Sequence, residues 1–459
     1  MSERTAMLAA HPHWPPFHSR DALAHIPGED GIPVLGTTLE QLKDPRAFTA
    51  KMVARFGKIF RTRGFGGYQV ALLGPEANEL MLFDRDKIFS SEQGWGPILW
   101  RLFPRGLMLM DFDHHRMDRR TLSVAFKPEP MKYYADSLNE GIAARVKQWS
   151  EADGAEMLFY PAIKQLTLDL AATSFLGIAW GPEADRINQA FVDMVAASVG
   201  VARTPLPFTK MARGVAGRRY LSDFFARAIP ERRQREGSDI FTQICHAVDE
   251  NGAPLSDQAI IDHMNFLMMA AHDTITSSVT SMIWLLGQHP EWQERLRAEM
   301  LGVAQAGAPL SHNALGQLEL TEMAFKESLR MIPPVPAIPR RALKPFDFGG
   351  YTIPAGTHVG INPTYTHNMP EYWPEPEKFD PMRFTPEQVR ARHKYAWVPF
   401  GGGAHMCLGL HFAYMQAKIF FHHLLTTHRI VLDEGYTPEW QAWPIPKPKD
   451  GLKIRLEKI

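Results

Sequence analysis

The chain has 459 residues, and 50 Lys and Arg balance 50 Asp and Glu, so its formal net charge is zero. Apolar residues make up 45% and charged residues 22%, the mixture of a globular chain long enough for a large core. Neutrality argues against a nucleic-acid binder, while two cysteines, Cys245 and Cys407, exclude a disulfide framework and favour a reducing, cytoplasmic setting.

Residues 1–17 are short of apolar side chains and carry Pro12, Pro15 and Pro16, so neither a signal peptide nor a membrane anchor is expected. Residues 1–30 read as an irregular N-terminal segment. Apolar runs elsewhere stop short of the roughly 18–20 residues that span a bilayer, so a soluble protein is expected. Lys58–Arg63 and Gln69–Leu73 flank Gly66 and Gly67, a strand-turn-strand pattern. Helical patterns cover Met157–Leu176, Ala259–Leu286 and Glu291–Ala304. A second β-rich piece, Phe346–Ile353, runs into the turn Pro354-Ala355-Gly356. Thirteen of the 36 prolines fall between Pro333 and Pro399, which predicts extended, meandering chain there. A helical pattern resumes from His411 to Phe421. With no repeat and no Ser/Gly-rich linker, residues 1–459 read as a single large helical domain, mainly α, with a small, mostly antiparallel β-rich region.

The stretch before that last helix is Gly401-Gly402-Gly403-Ala404-His405-Met406-Cys407-Leu408-Gly409. Backbone N–H groups and the dipole of a helix start favour a thiolate, and glycines let a flat ligand approach the backbone. An inert core cysteine, a nucleophile and a haem ligand all compete for Cys407, and axial thiolate ligation suits this context best. Cys245 lacks any such context and reads as a packing residue.

Phe400-x-x-Gly403-x-His405-x-Cys407-x-Gly409 resembles the haem-binding signature of the cytochrome P-450 superfamily. The resemblance implies haem b (heme b, iron protoporphyrin IX) with Cys407 on the iron, Phe400 and Gly409 flanking the sulfur, and His405 at a propionate. Other segments agree in order. In Ala270-Ala271-His272-Asp273-Thr274-Ile275 the resemblance makes Asp273 and Thr274 the acid–alcohol pair that relays protons to bound dioxygen. Ala271 and Ile275 depart from the family's usual Gly and Thr, adding methyl bulk beside the oxygen groove. Glu327, Arg330 and Arg383 resemble the charged triad that braces the thiolate loop, and His115, Arg119 and Arg340 the remaining propionate contacts. Arg341, adjacent to Arg340, competes for that assignment.

The implied activity is monooxygenation: one oxygen atom from dioxygen enters a lipophilic substrate such as a terpenoid, steroid or fatty acid. Electrons come from outside, with a ferredoxin and its reductase as expected partners. Arg116, Arg120, Lys127 and Lys418 offer positive charge for docking. Ile98, Leu99, Trp100, Met108, Met269, Ala270, Val335 and Ile338 are the expected pocket lining. A peroxygenase, an isomerase and a non-catalytic haem sensor are the alternatives.

Overall fold

The computed structural model describes residues 14–64, 66–152, 154–200 and 204–459. Pro12 and the rest of 1–13 lie outside the described residues. Within the remainder of the N-terminal segment, Asp21–Leu23 forms a single 3-10 turn and Gly28–Glu29 a short strand, β1. Leu23 and Ile26 are fully buried, so this stretch is ordered by its apolar anchors, against the expectation of irregular chain.

Strands β2 (Ile59–Gly64) and β3 (Gly67–Leu72) form the expected hairpin, with Ile59 opposite Leu72. With β4 (Phe89–Ser90), β5 (Ile338–Ala342) and β6 (His358–Ile361) they build a six-stranded sheet in the order β1-β2-β3-β6-β5-β4. The β1–β2 and β3–β6 pairs are parallel and the other three antiparallel. Phe346–Phe348 and Tyr351–Ile353 pair as a separate small hairpin.

Seven helices position the site: α1 (Pro75–Phe83), α2 (Ser91–Leu99), α3 (Phe112–Leu122), α4 (Phe159–Leu176), α5 (Asp257–Gln288), α6 (Glu319–Met331) and α7 (Leu410–Leu425). The pattern placed Met157 and Leu158 in α4, but both belong to a short strand, Glu156–Leu158, paired with the C-terminal strand Lys453–Lys458. Helix α5 starts where Ser256 Oγ accepts the Ala259 N–H at 3.2 Å. It packs against α4, and a Thr167–Thr276 hydroxyl bond of 2.6 Å crosses that contact. The main core draws residues from Leu99 to Leu456.

The proline-rich stretch is not wholly extended. Pro363–Thr366 and Pro386–Ala391 are short helices, and Pro381–Phe384 is a 3-10 turn. Each begins on a proline, whose fixed φ and missing N–H suit a first helical position. Proline density here marks helix starts as well as breaks.

Candidate haem site

The cysteine loop is shaped by backbone geometry. Gly401 and Gly403 have φ of 68° and 58°, and a Cβ on Gly403 would stand 2.1 Å from the Leu82 carbonyl oxygen of α1. Those glycines therefore serve a tight turn against α1. At Gly409, by contrast, an added Cβ would meet nothing within 4 Å, which leaves room for a flat ligand. The Cys407 N–H donates to the Phe400 carbonyl at 2.9 Å, closing the loop, and the Phe400 ring packs on Tyr414 at 5.4 Å. The Cys407 side chain is accessible even though protein atoms crowd around it. Burial pushes its thiol pKa up, and the Gly409 N–H and Arg119 guanidinium pull it back only in part. The helix start alone does not make a thiolate, since α7 begins three residues later, at Leu410. Iron coordination would deprotonate the thiol outright. Cys245, at 3% exposure in the core, has its thiol pKa pushed up to about 12 by burial.

A cavity of about 510 Å³ lies beside this loop, lined among others by Phe112, His115, Arg119, Arg340 and His405. His115 and Arg119 sit four apart on α3, so they share a face. The His115 and His405 rings lie 3.9 Å apart. Strand alternation resolves the Arg340/Arg341 ambiguity. Arg340 lines the cavity, whereas Arg341 Nη2 donates to the Pro16 carbonyl at 2.9 Å on the other face. Neither Arg119 nor Arg340 forms an ion pair among the described residues. The nearest carboxylates to Arg340 are engaged: Asp84 accepts the Ile88 and Phe89 N–H groups, and Asp111 those of Ser91 and Glu92. Burial, aided by these neighbouring arginines, pushes the His115 pKa down to about 4 and that of His405 to about 2. Such a cluster offers two guanidinium groups outside any ion pair among the described residues, the chemistry that two carboxylates would complete.

On the opposite side, every residue of α5 from Ile260 to Leu286 is buried except Met269, Ala270, Ala271 and Thr274. These four mark a single opening in the middle of an enclosed helix. The Thr274 hydroxyl donates to the Ala270 carbonyl at 2.9 Å. Asp273 is only 6% exposed and turns toward α4, its Oδ1 3.3 Å from Lys164 Nζ and 3.5 Å from His272 Nε2. Ile275, expected to crowd the oxygen groove, is instead buried in core packing. Asp118 of α3 meets His263 of α5 at 2.8 Å, tying the two helices together.

Glu327 and Arg330 are both fully buried on α6 and form a two-point pair of 2.7 and 2.9 Å. Arg383 Nε stands 3.3 Å from Glu327 Oε1, which also accepts the Asp380 N–H at 3.0 Å. Burial pushes the Glu327 carboxyl up, and Arg330, the Asp380 N–H and Arg383 oppose it. Arg330 also donates to the His367 and Pro376 carbonyls, and His367 Nε2 accepts the Val398 N–H at 2.9 Å. The triad thus reaches the Pro399-Phe400 entry to the cysteine loop through His367, a link the sequence reading missed.

Leu99 and Ile338 are buried in separate apolar clusters, and Val335 packs against the second of these. Ile98, Trp100, Met108, Met269 and Ala270 are half-buried. One expectation is corrected, that of Lys418 as docking charge. Lys418 is buried too, donating to the Leu315 carbonyl and pairing with Glu322 at 2.7 Å, so it offers no docking charge. Arg116 and Arg120 are exposed but pair with Asp113 and Glu250.

An accessible cysteine in a glycine loop, two arginines outside any ion pair among the described residues and a locally opened α5 fit iron protoporphyrin IX, and together they define a haem-thiolate protein. The comparisons agree. The cytochrome P450 family model matches residues 26–453. A putative cytochrome P450 136 of Mycobacterium tuberculosis is 36% identical over 439 residues, covering 95% of this chain and 89% of that protein. A putative cytochrome P450 120 of Synechocystis is 32% identical, covering 94% and 97%. A solved structure described as retinoic acid bound cyanobacterial CYP120A1 superposes with a TM-score of 0.87 at 31% identity, covering 95% of this chain and 99% of that one. The chain belongs to the cytochrome P450 family, and is a monooxygenase that uses haem b, dioxygen, a lipophilic substrate and a redox partner.

Proposed function

We propose that residues 1–459 act as one cytochrome P450 domain in which Cys407 ligates the haem iron and Asp273 and Thr274 deliver protons to the oxygen side. The observation that carries this reading is the opening of α5 at Met269, Ala270, Ala271 and Thr274, one residue from a buried acid. When bound, the haem supplies dioxygen activation and oxidation of an unactivated C–H bond. The protein's part is placement and proton traffic. His115, Arg119, Arg340 and His405 would hold the propionates, Phe400 and Gly409 flank the sulfur, and Glu327, Arg330 and Arg383 brace the loop. Thr274 presents its hydroxyl at the opening, and Asp273 behind it is the proton source. Ile98, Leu99, Trp100, Met108, Met269, Ala270, Val335 and Ile338 are the proposed pocket lining.

The substrate class we favour is a terpenoid. Relatives include a taxane 10-beta-hydroxylase of Taxus cuspidata at 28% identity and a beta-amyrin 28-monooxygenase of Solanum lycopersicum at 28%, and the superposed cyanobacterial structure holds retinoic acid. All three names denote isoprenoid skeletons. Ferredoxin is the proposed electron donor, with exposed Arg116, Arg120 and Lys127 as docking charge and the cytoplasm as the setting. Among the described residues no helix is long and apolar enough to cross a membrane.

Thr274→Ala tests the proton role: more of the consumed electrons should appear as hydrogen peroxide and fewer as product. Unchanged coupling would contradict it. Isoprenoid acids and alcohols should displace water from the iron in a spin-state titration more tightly than fatty acids of equal carbon number. The reverse order would remove the terpenoid assignment. Ferredoxin reduction that ignores ionic strength would remove the docking charges.

A further inference from the structure

His272 is fully buried, and neither the established activity nor the relay above uses it. Its Nδ1 lies 2.9 Å from the Met268 carbonyl oxygen, which can only accept, so Nδ1 carries a hydrogen. In a neutral imidazole Nε2 is then a bare acceptor. Among the described residues Nε2 has no hydrogen-bond partner, and 3.5 Å away stands Asp273 Oδ1, also buried and without a hydrogen-bond partner among them. Two lone pairs facing each other away from water are unfavourable, and one added proton satisfies both.

We propose that His272 Nε2 and Asp273 Oδ1 hold a single proton between them, making His272 a positioning residue that keeps Asp273 loaded for Thr274. The proposal rests on the relay reading above and specifies where its proton waits.

The charged and titratable groups around the pair come from several elements. Lys164 on α4 stands 3.3 Å from Oδ1, Tyr160 precedes it on the same helix, and Lys447 approaches from the C-terminal region. Lys210 lies farther out, beside Lys447. Lys164 alone does not complete the site, because its ammonium leaves Nε2 unpartnered. It does supply a route outward. Lys164 also lines a polar cleft of about 500 Å³ with Gln165, Asp185, Asn188 and Gln189, between α4 and the helix Pro182–Ser198. When Asp273 passes its proton to the Thr274 hydroxyl, the hydroxyl passes its own proton on to the oxygen side, and the cleft beside Lys164 is the face from which solvent would reload Asp273.

The test is infrared and nitrogen-15 histidine spectroscopy of the substrate-free holoenzyme in its ferrous, carbon-monoxide form. The expected result is either a protonated-carboxyl stretch or a doubly protonated imidazole, shifted in deuterium oxide and lost in both Asp273→Asn and His272→Phe. His272→Gln replaces the Phe variant should that fail to fold. Wild-type protein showing an ionised Asp273 beside a neutral His272 overturns the proposal. His272→Phe should also raise peroxide release several-fold at unchanged haem content. Because the spectra need no turnover, the two readings fail separately. A missing shared proton with Thr274→Ala still uncoupled removes only His272, whereas a shared proton with Thr274→Ala fully coupled removes the relay.

Discussion

Two clusters of buried positive charge flank the cysteine loop, and they differ in what answers them. Around Glu327 both carboxylate oxygens are answered: Arg330 donates to each, the Asp380 N–H donates to Oε1, Arg383 stands 3.3 Å away as a second cation, and the His367 and Pro376 carbonyls accept from Arg330. Around the cavity, Arg119 and Arg340 stand beside His115 and His405 with no ion pair among the described residues, and the lining carboxylates Asp84 and Asp111 are held by backbone N–H groups. A closed charge network belongs to the fold, and an open one belongs to a ligand. The distinction is energetic. Removing one partner of a closed buried pair strands the other, whereas removing a cation from an open cluster relieves repulsion.

That contrast can be broken most forcefully at the brace. Arg330→Leu should cost about 3–5 kcal/mol of folding stability by stripping the buried Glu327 carboxylate of its two-point partner and leaving only Arg383 and the Asp380 N–H, read by denaturant unfolding, and the protein recovered should lack haem. Normal stability would mean that the network is not closed.

The cavity should respond the other way. Arg340→Leu should weaken haem retention by about 1.5–3 kcal/mol, the worth of one hydrogen bond to a charged group, in a haem-transfer assay. The haem-free protein should melt no lower than the parent. A drop in its melting temperature equal to that of Arg330→Leu would erase the difference between the clusters.

The smallest effect concerns pH. His367 accepts the Val398 N–H through Nε2, which requires a neutral nitrogen there, and burial beside Arg330 pushes its pKa from 6.5 down to about 3. Below pH 6.5 the unfolded chain takes up a proton that the folded one refuses. The stability is therefore complete above that value and falls toward pH 3, by about 1.4 kcal/mol per unit at most. His367→Gln should flatten the slope of stability against pH over this window relative to the parent. An unchanged slope would detach His367 from the brace.

The sequence showed the parts that depend on local chemistry. Glycines at 401 and 403, a cysteine before a helix and an i,i+3 Glu–Arg pair are visible as strings. What stayed hidden depends on direction in space. Arg340 and Arg341 look alike until strand pairing sends them to opposite faces. Lys418 looks like surface charge until α7 buries it against Glu322. Lys164 and His272 gave no signal, since one lies 109 positions before Asp273 and the other beside it in an apolar helix. What marks His272 is an unpartnered ring nitrogen 3.5 Å from an unpartnered carboxylate oxygen, a juxtaposition only the fold reveals.

The central claim is that Cys407 supplies the thiolate on the haem iron. Its direct test is the absorption spectrum of the reduced, carbon-monoxide-bound protein, wild type beside Cys407→Ala and Cys245→Ala. The account predicts a red-shifted thiolate Soret band in wild type and Cys245→Ala, and its loss in Cys407→Ala. A wild-type spectrum without that band, or a Cys407→Ala protein that keeps it, would contradict the account.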